Sequence, residues 1–295
     1  MAFSSIKDFN CFVHFSVSDQ IKSLFTRKQF FTNIQHCFLR VKVNESDYED
    51  IYDGSLYQKL MLPNGVVSSK NNISLTWNVD GLPLFKSFKF SLWHLYFVLN
   101  ELGVMKLLML LWFNSAHNHE RYYLGRKVSI VDKCLSEINP PSIITRRPHG
   151  SEHFKFYKAS EYQSFLLYYS LPVLHDILPP EYWNHYACFV VSIYNLTQQS
   201  ISDEQLQYCE QTIKQFCCKF EQLYGRRYMS ANIHLLLHLT QCVRELGPLW
   251  VYSCFCFESQ NGILKSLVHG TQHVEKQIIS SFSYQKKICL HLPMN

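Results

Sequence analysis

One segment of the sequence constrains the fold more than any other, because it carries a full set of helix signals. Ser202 and Gln205 have the spacing of a capping box, and Gly225 stands where helices commonly end. Between them, apolar residues recur at helical spacing: Leu206, Cys209, Ile213, Phe216, Cys217, Phe220 and Leu223. The pattern predicts an amphipathic helix over 203–224 that packs against other helices through this stripe.

Helical patterns also dominate the rest of the chain after residue 102. They predict helices over 103–113, 159–169, 181–197 and 230–246. The seam between the last two successive helices, 203–224 and 230–246, should be buried. Its residues are Leu206, Ile213, Phe216, Phe220, Leu223, Leu236, Leu237 and Val243.

The first hundred residues have a different character. The run 73–79 alternates apolar and polar residues, as a strand does, and ends at the turn signal Asp80-Gly81. The apolar run 88–99 suits a strand or a helix. The expected fold class is therefore α+β, predominantly α. The expected divisions are a β-containing region over 1–100, a helical region over 101–290 and a tail over 291–295.

Composition limits the functional classes. Hydrophobic residues make up 47% of the chain and charged residues 17%, which excludes a disordered chain. A net charge of +5 permits nucleic-acid binding without arguing for it. The 11 cysteines and the polar start predict an intracellular protein in a reducing compartment. The apolar run 102–113 is too short to span a bilayer, so no membrane association is expected.

Histidine and cysteine pairs are the first candidates for a metal site. His234 and His238 are four residues apart on a predicted helix, a spacing that suits metal ligands. We interpret them instead as structural residues that form hydrogen bonds inside an aromatic core. The pairs Cys217/Cys218 and Cys254/Cys256 lack the spacing of a structural zinc site, so apolar packing is the favoured interpretation.

A basic segment with interleaved aromatic residues is the candidate for DNA binding. Arg146, Arg147, Lys155 and Lys158 lie close in sequence to Phe154, Phe156 and Tyr157. Such a mixture suits phosphate contacts and stacking on exposed bases. The alternative, equally compatible with the sequence, is a solvated loop whose aromatic residues pack into the core.

The ordered succession of several segments resembles CACTA-type (En/Spm-like) DNA transposases over nearly the whole chain. The region 50–100 resembles the surroundings of the family's first catalytic Asp, and it includes ISLTWNVDGLPLFKSF. Later segments agree in order: LGVMKLLMLLW, KASE followed by FLLYYSLPVL, NIHLLLHL, and LGPLWVYSCFCFESQNGILKSLVHGTQHVEKQI.

The resemblance implies an RNase H-like catalytic domain with an Asp-Asp-Glu triad that holds two Mg²⁺ or Mn²⁺ ions. It maps the first acid onto Asp80 and the third onto Glu258, with Glu161 as runner-up; Asp80 and Glu258 would also be the metal ligands. It further implies that the protein is localised to the nucleus, binds DNA and associates with itself.

The chain departs from the family pattern near residues 100–102. There the sequence runs directly into Gly103-Val-Met-Lys, so the stretch that contains the second Asp is expected to be missing, together with a zinc-ribbon-like N-terminal part. The leading hypothesis is a shortened, transposase-derived protein without catalytic activity. The alternatives are a host-adopted DNA-binding or interaction module, an active nuclease that uses Asp132 or Asp176 as a substitute acid, and a reading frame without a physiological role.

Overall fold

The computed structural model describes residues 22, 24–26, 30–69, 72, 81–83, 91–93, 100–140, 144, 149–252, 266, 268–269, 276–277 and 280–281. The chain divides into two compact units. The first comprises 1–41, 69–96 and 254–295, and the second comprises 42–68 and 97–253. Both units combine stretches that are distant in sequence, and the sequential division at residue 100 stays a prediction.

The described part of the first unit contains two short helices and a hairpin. Helices α1 (Phe30–Ile34) and α2 (His36–Leu39) precede strands β1 (Gly81–Pro83) and β2 (Ser91–Trp93). The strands are antiparallel, with Leu82 opposite Leu92. A turn was expected at Asp80-Gly81. For Gly81 this prediction is wrong, because Gly81 is the first residue of β1 and pairs with Trp93 of β2. The run 73–79 lies outside the described residues.

The second unit is built almost entirely of helices. They are α3 (Ser55–Met61), α4 (Asn100–Phe113), α5 (Val128–Glu137), α6 (Ala159–Ser164), α7 (Ser170–Leu174), α8 (Pro180–Leu196), α9 (Asp203–Tyr224), α10 (Ala231–Leu236) and α11 (Leu239–Leu246). Within the described ranges, strand pairing is limited to β1–β2 and a bridge between Tyr48 and Ile201. The expected predominance of helix is confirmed.

Helices α8 and α9 form an antiparallel pair at the centre of the second unit. Their contacts run in opposite directions along the chain: the Ser192 and Thr212 hydroxyls are 2.7 Å apart near the connecting loop, and the Tyr182 hydroxyl donates to the Leu223 carbonyl at the far end. The predicted capping box at Ser202 and Gln205 is present. Of the residues predicted for the seam between 203–224 and 230–246, six are buried as predicted: Leu206, Ile213, Phe216, Phe220, Leu236 and Val243. Leu223 and Leu237 are only partly buried.

Helix α4 lies in the same core and is buried on nearly all sides. Val104, Met105, Leu108 and Trp112 have no exposed surface. The Trp112 indole N–H donates to the Tyr224 hydroxyl at 3.3 Å. This bond gives the buried N–H a partner, without which its burial would be unfavourable. The helix is apolar but short, and none of the described helices has both the length and the hydropathy to cross a membrane.

Two predicted helices are interrupted. The helix predicted over 159–169 continues to Leu174, but residues 165–169 form a π-turn. Pro172 lacks an N–H and would crowd the carbonyl of residue 168 in a regular helix, and the widened turn avoids that clash. The helix predicted over 230–246 is broken at 237–238, where the backbone bonds Leu237 N to His234 O and His238 N to Leu235 O tighten the turn.

Candidate nucleic-acid interface

The predicted basic segment contains a short 3-10 helix over Ser151–Phe156, followed by α6. Because a 3-10 helix has three residues per turn, residues 154 and 157 fall on one side of the chain. Phe154 and Tyr157 are buried, while Lys155, Lys158 and the ring of Phe156 face solvent. Phe156 is 82% exposed. The segment therefore exposes two lysines and one aromatic ring that are close in sequence, a group that we call the basic-aromatic surface (Lys155, Phe156 and Lys158).

A buried carboxylate fixes this segment to α6. Glu161 is only 2% exposed, and its Oε2 accepts a hydrogen bond from the Lys158 backbone N–H at 2.9 Å. Its Oε1 contacts Nδ1 of His149. A buried carboxylate is costly without such partners, so these contacts compensate its desolvation. Glu161 thus caps α6 and sets the backbone position from which the Lys158 side chain extends.

Tyrosine hydroxyls complete the anchor. Tyr162 donates to the Phe154 carbonyl at 2.6 Å, and Tyr157 donates to the His149 carbonyl. Burial raises the pKa of Tyr157, and the nearby carboxylates of Asp132 and Glu161 raise it further, so the phenol stays protonated as a donor. Both anchoring rings, Tyr157 and Tyr162, are held by hydrogen bonds as well as by burial, so the backbone that carries the basic-aromatic surface is attached to the core.

Of the other acids considered from the sequence, Asp132 and Asp176 are among the described residues. The Asp132 carboxylate lies against Gly150: a Cβ added to that glycine would be 3.0 Å from its Oδ2. Asp176 is largely exposed, with its Oδ1 2.8 Å from Nδ1 of His175. Asp80, Glu258, Arg146 and Arg147 lie outside the described residues, so their assignments stay predictions.

The resemblance implies divalent metal ions, which need several carboxylate ligands held close together. Glu161 does not fit, because its Oε2 already accepts from the Lys158 N–H and its Oε1 already contacts His149. Among the described residues, no group of three or more His, Cys, Asp or Glu is arranged to hold an ion. A site that involves Asp80 and Glu258 stays a prediction.

The interpretation of His234 and His238 as core residues is wrong. Both side chains are exposed, and the Nε2 atoms are 3.4 Å apart. The physical reason is the helical period: Ile233 and Leu236 turn toward the core, so positions 234 and 238 fall on the opposite side.

The cysteine pair divides between core and surface. Cys217 is buried, as the packing interpretation expects, and burial raises the pKa of its thiol to about 12. Cys218 is exposed, so the packing interpretation is wrong for it. Cys254 and Cys256 lie outside the described residues.

A cleft between α8 and α9, lined mainly by polar residues, was not predicted from the sequence. It has a volume of about 340 Å³, and its lining includes Glu181, Asn184, His185, Cys188, Gln215 and Lys219. His185 is buried and stacks on Phe216 at 4.3 Å between ring centroids, and its Nε2–H donates to the Phe216 carbonyl at 2.8 Å. Burial lowers the pKa of His185 to about 4, so the ring is neutral at pH 7. Its position beside Tyr182 and Tyr186 in the apolar stripe was the available signal.

Comparison with known proteins finds a similarity for only part of the chain. No curated protein and no solved structure matches it. A family model described as a domain of unknown function, DUF4218, matches residues 196–291, fewer than half of the 295 residues. The match begins at the last residue of α8 and includes α9, α10 and α11. These helices are therefore similar to a domain of unknown function.

Proposed function

We propose that this chain is a transposase-derived protein that binds DNA through the basic-aromatic surface and does not cleave it. The observation that carries the proposal is an aromatic ring, Phe156, that is 82% exposed between two exposed lysines. Lysines neutralise phosphates, and an exposed ring can stack on an unpaired base. The proposal rests also on the resemblance to CACTA-type transposases and includes a nuclear place of action.

The buried residues on either side of Phe156 support this role. Exposing a large ring to water is unfavourable, and a flexible segment would relieve that cost by folding the ring inward. Here the backbone on both sides of Phe156 is held by the buried Phe154 and Tyr157, and the Glu161 cap holds the next turn. A ring held outward in this way is ready to bind, since little ordering is lost on association. Arg146 and Arg147, which precede this segment in sequence, are the proposed extension of the surface.

The chemistry proposed for this chain is binding rather than hydrolysis. In the proposed ancestral domain, three acids on an RNase H-like sheet would hold two metal ions, which would supply activation of a water molecule or a 3′-hydroxyl toward the phosphodiester. Asp80 and Glu258 are the proposed remnants of that set, and the second acid belongs to the stretch that this chain is proposed to have lost.

We expect single-stranded DNA to bind with little sequence preference and strong salt dependence. Phe156→Ala should weaken binding by about 1–3 kcal/mol, because one stacking partner is lost. The double change Lys155→Ala, Lys158→Ala should reduce the salt slope by about 1.4, which corresponds to two phosphate contacts on a single strand. Fluorescence anisotropy with a labelled mixed-sequence oligonucleotide, at several salt concentrations, measures both effects.

Matched variants separate a local effect from a general one. Lys133→Ala removes another exposed lysine, and Tyr168→Ala removes another exposed ring, 53% exposed. Neither should change the affinity or the salt slope. Unchanged affinity in the Phe156 and Lys155/Lys158 variants would reject this surface as the DNA site. Binding of a protein but not of DNA would favour the alternative of an interaction module.

We expect no strand cleavage by the purified chain in Mg²⁺ or Mn²⁺. Two neighbouring cations need several rigidly held carboxylates to offset their repulsion, and the proposed remnants supply two. The measurement is gel analysis of a labelled transposon-end duplex, with Asp80→Ala and Glu258→Ala variants in parallel. Metal-dependent cleavage that both variants lose would overturn the prediction and make these two acids working ligands.

A further inference from the structure

The exposed pair His234 and His238 has a geometry that its expected structural role does not explain. The ring centroids are 5.2 Å apart, the planes are inclined by 78°, and the Nε2 atoms are 3.4 Å apart. Both side chains face solvent, so they add nothing to the core. Among the contacts within the described residues, the ring nitrogens of the pair meet only each other.

The backbone holds the two rings together. His234 lies in the last turn of α10, and His238 immediately precedes α11. The backbone N–H of Leu237 donates to the His234 carbonyl at 3.1 Å, which closes the turn between the two rings. On the opposite side Leu236 and Leu239 are buried and fix the two helix ends against the core. The pair is therefore preorganised by packing that does not involve the imidazoles.

The separation of the two nitrogens matches the requirement of a tetrahedral metal ion. Imidazole nitrogens bind Zn²⁺ at about 2.0–2.1 Å, and two such ligands at a tetrahedral angle are about 3.4 Å apart. The nitrogens of the pair are 3.4 Å apart. At this distance either one Nε2–H donates to the other Nε2, or both lone pairs face a single cation.

We infer that His234 and His238 form a two-histidine site for a borderline transition metal ion of the class Zn²⁺, Co²⁺ or Ni²⁺. Imidazole suits these ions, whereas Mg²⁺ prefers oxygen ligands. Two protein ligands leave the remaining coordination positions to water, so the site is open, as in sites where an exogenous ligand binds the metal. The site is independent of the basic-aromatic surface and of the proposed ancestral magnesium chemistry.

The test is titration of the full-length protein with Co²⁺, because the visible and near-ultraviolet spectra distinguish nitrogen from thiolate ligation. We expect one Co²⁺ per chain, with d–d bands and no thiolate charge-transfer band. His234→Ala and His238→Ala should each weaken binding at least tenfold. The control His119→Ala removes another largely exposed histidine, whose Nε2 is 3.2 Å from a Glu120 oxygen, and should leave Co²⁺ binding unchanged.

A thermal measurement provides a second readout that is independent of spectral assignment. Because the ion would connect the end of α10 to the start of α11, excess Zn²⁺ should raise the Tm of the wild-type protein by a few degrees. The His234→Gln and His238→Gln variants should not respond, and since both positions are exposed these proteins should remain folded. Mg²⁺ should raise the Tm of none of them.

Three results would overturn the inference. They are a thiolate charge-transfer band that accompanies Co²⁺ binding, equal affinity in the wild type and both alanine variants, and no binding of Co²⁺ at millimolar concentration. Failure here leaves DNA binding by the basic-aromatic surface unaffected, since no residue is shared between the two sites.

Discussion

Replacing Phe220 with alanine should lower the free energy of unfolding by about 3–5 kcal/mol, because a large ring is removed from a fully buried position. Phe220 has no exposed surface. Its ring centroid lies 4.8 Å from that of Tyr224 and 5.6 Å from that of Phe216 on the same helix, and 6.0 Å from that of His185 on α8. The change therefore leaves a cavity between α8 and α9 that the surrounding side chains fill only in part.

Equilibrium unfolding in urea, followed by circular dichroism, measures this loss. Tyr208→Ala is the matched control, because Tyr208 is an aromatic residue of the same helix that is 51% exposed. It should cost less than about 1 kcal/mol. A loss below 1 kcal/mol for Phe220→Ala would mean that the Phe220 ring does not contribute the packing between α8 and α9 described above.

Periodicity explains why the long helices could be predicted from the sequence. In α9 the capping box, the stripe and Gly225 all indicate the same 22-residue element. The stripe fails only at its end: Tyr224 is buried where Leu223 was expected to be, because its hydroxyl accepts from Trp112 of α4. That partner lies 112 residues away in sequence, and a local pattern contains no information about it.

Interruptions of helices were missed because their causes are local backbone geometry rather than hydrophobic pattern. The apolar spacing passes through the π-turn at 165–169 and through the break at 237–238 without a change of period. Pro172 was a visible signal for the first interruption. The second has no comparable signal, since neither Leu237 nor His238 excludes a regular helix.

The basic segment shows how far a candidate site can be predicted. The sequence identified Lys155 and Lys158 together with three aromatic residues, but it left open whether those rings are buried. The structure buries two and exposes Phe156, because residues 154 and 157 share one side of a 3-10 helix. Predicting that outcome required the type of helix, which the loop-like sequence around Pro148 and Gly150 did not reveal.

Histidine burial could have been predicted better than it was. His185 lies next to Tyr186 and one turn from Tyr182 and Phe189, which places it on the edge of the apolar stripe of α8. His234 and His238 lie opposite the stripe formed by Ile233, Leu236 and Val243. The spacing of His234 and His238 places the two residues on one side of a helix, and the apolar stripe shows that the core lies on the other side.

The buried His185 leads to a prediction for the pH dependence of stability. Burial lowers its pKa to about 4 from the ordinary value of 6.5, so between these values the unfolded chain binds a proton that the folded chain does not. Stability therefore falls as the pH decreases from about 6.5 to about 4, because proton uptake favours the unfolded state. Once the pH is well below the folded-state pKa of about 4, this pKa difference corresponds to a loss of about 3 kcal/mol in the free energy of unfolding.

The variants His185→Gln and His185→Phe isolate this contribution. Glutamine keeps a donor that can reach the Phe216 carbonyl, and phenylalanine keeps the stacking on the Phe216 ring, but neither titrates. Urea unfolding at pH 7.5, 6.5, 5.5 and 4.5 should show the wild type losing stability faster than either variant. The difference in unfolding free energy between wild type and variant should thus change by about 2.5 kcal/mol between pH 7.5 and pH 4.5. His175→Gln is the control, because His175 is exposed and its replacement should leave the wild-type profile unchanged.

Parallel profiles for the wild type and both His185 variants would contradict the burial of a neutral imidazole between α8 and α9. In that case the ring would have to be protonated in the folded protein, and the polar cleft that it lines would carry a positive charge in mildly acidic solution.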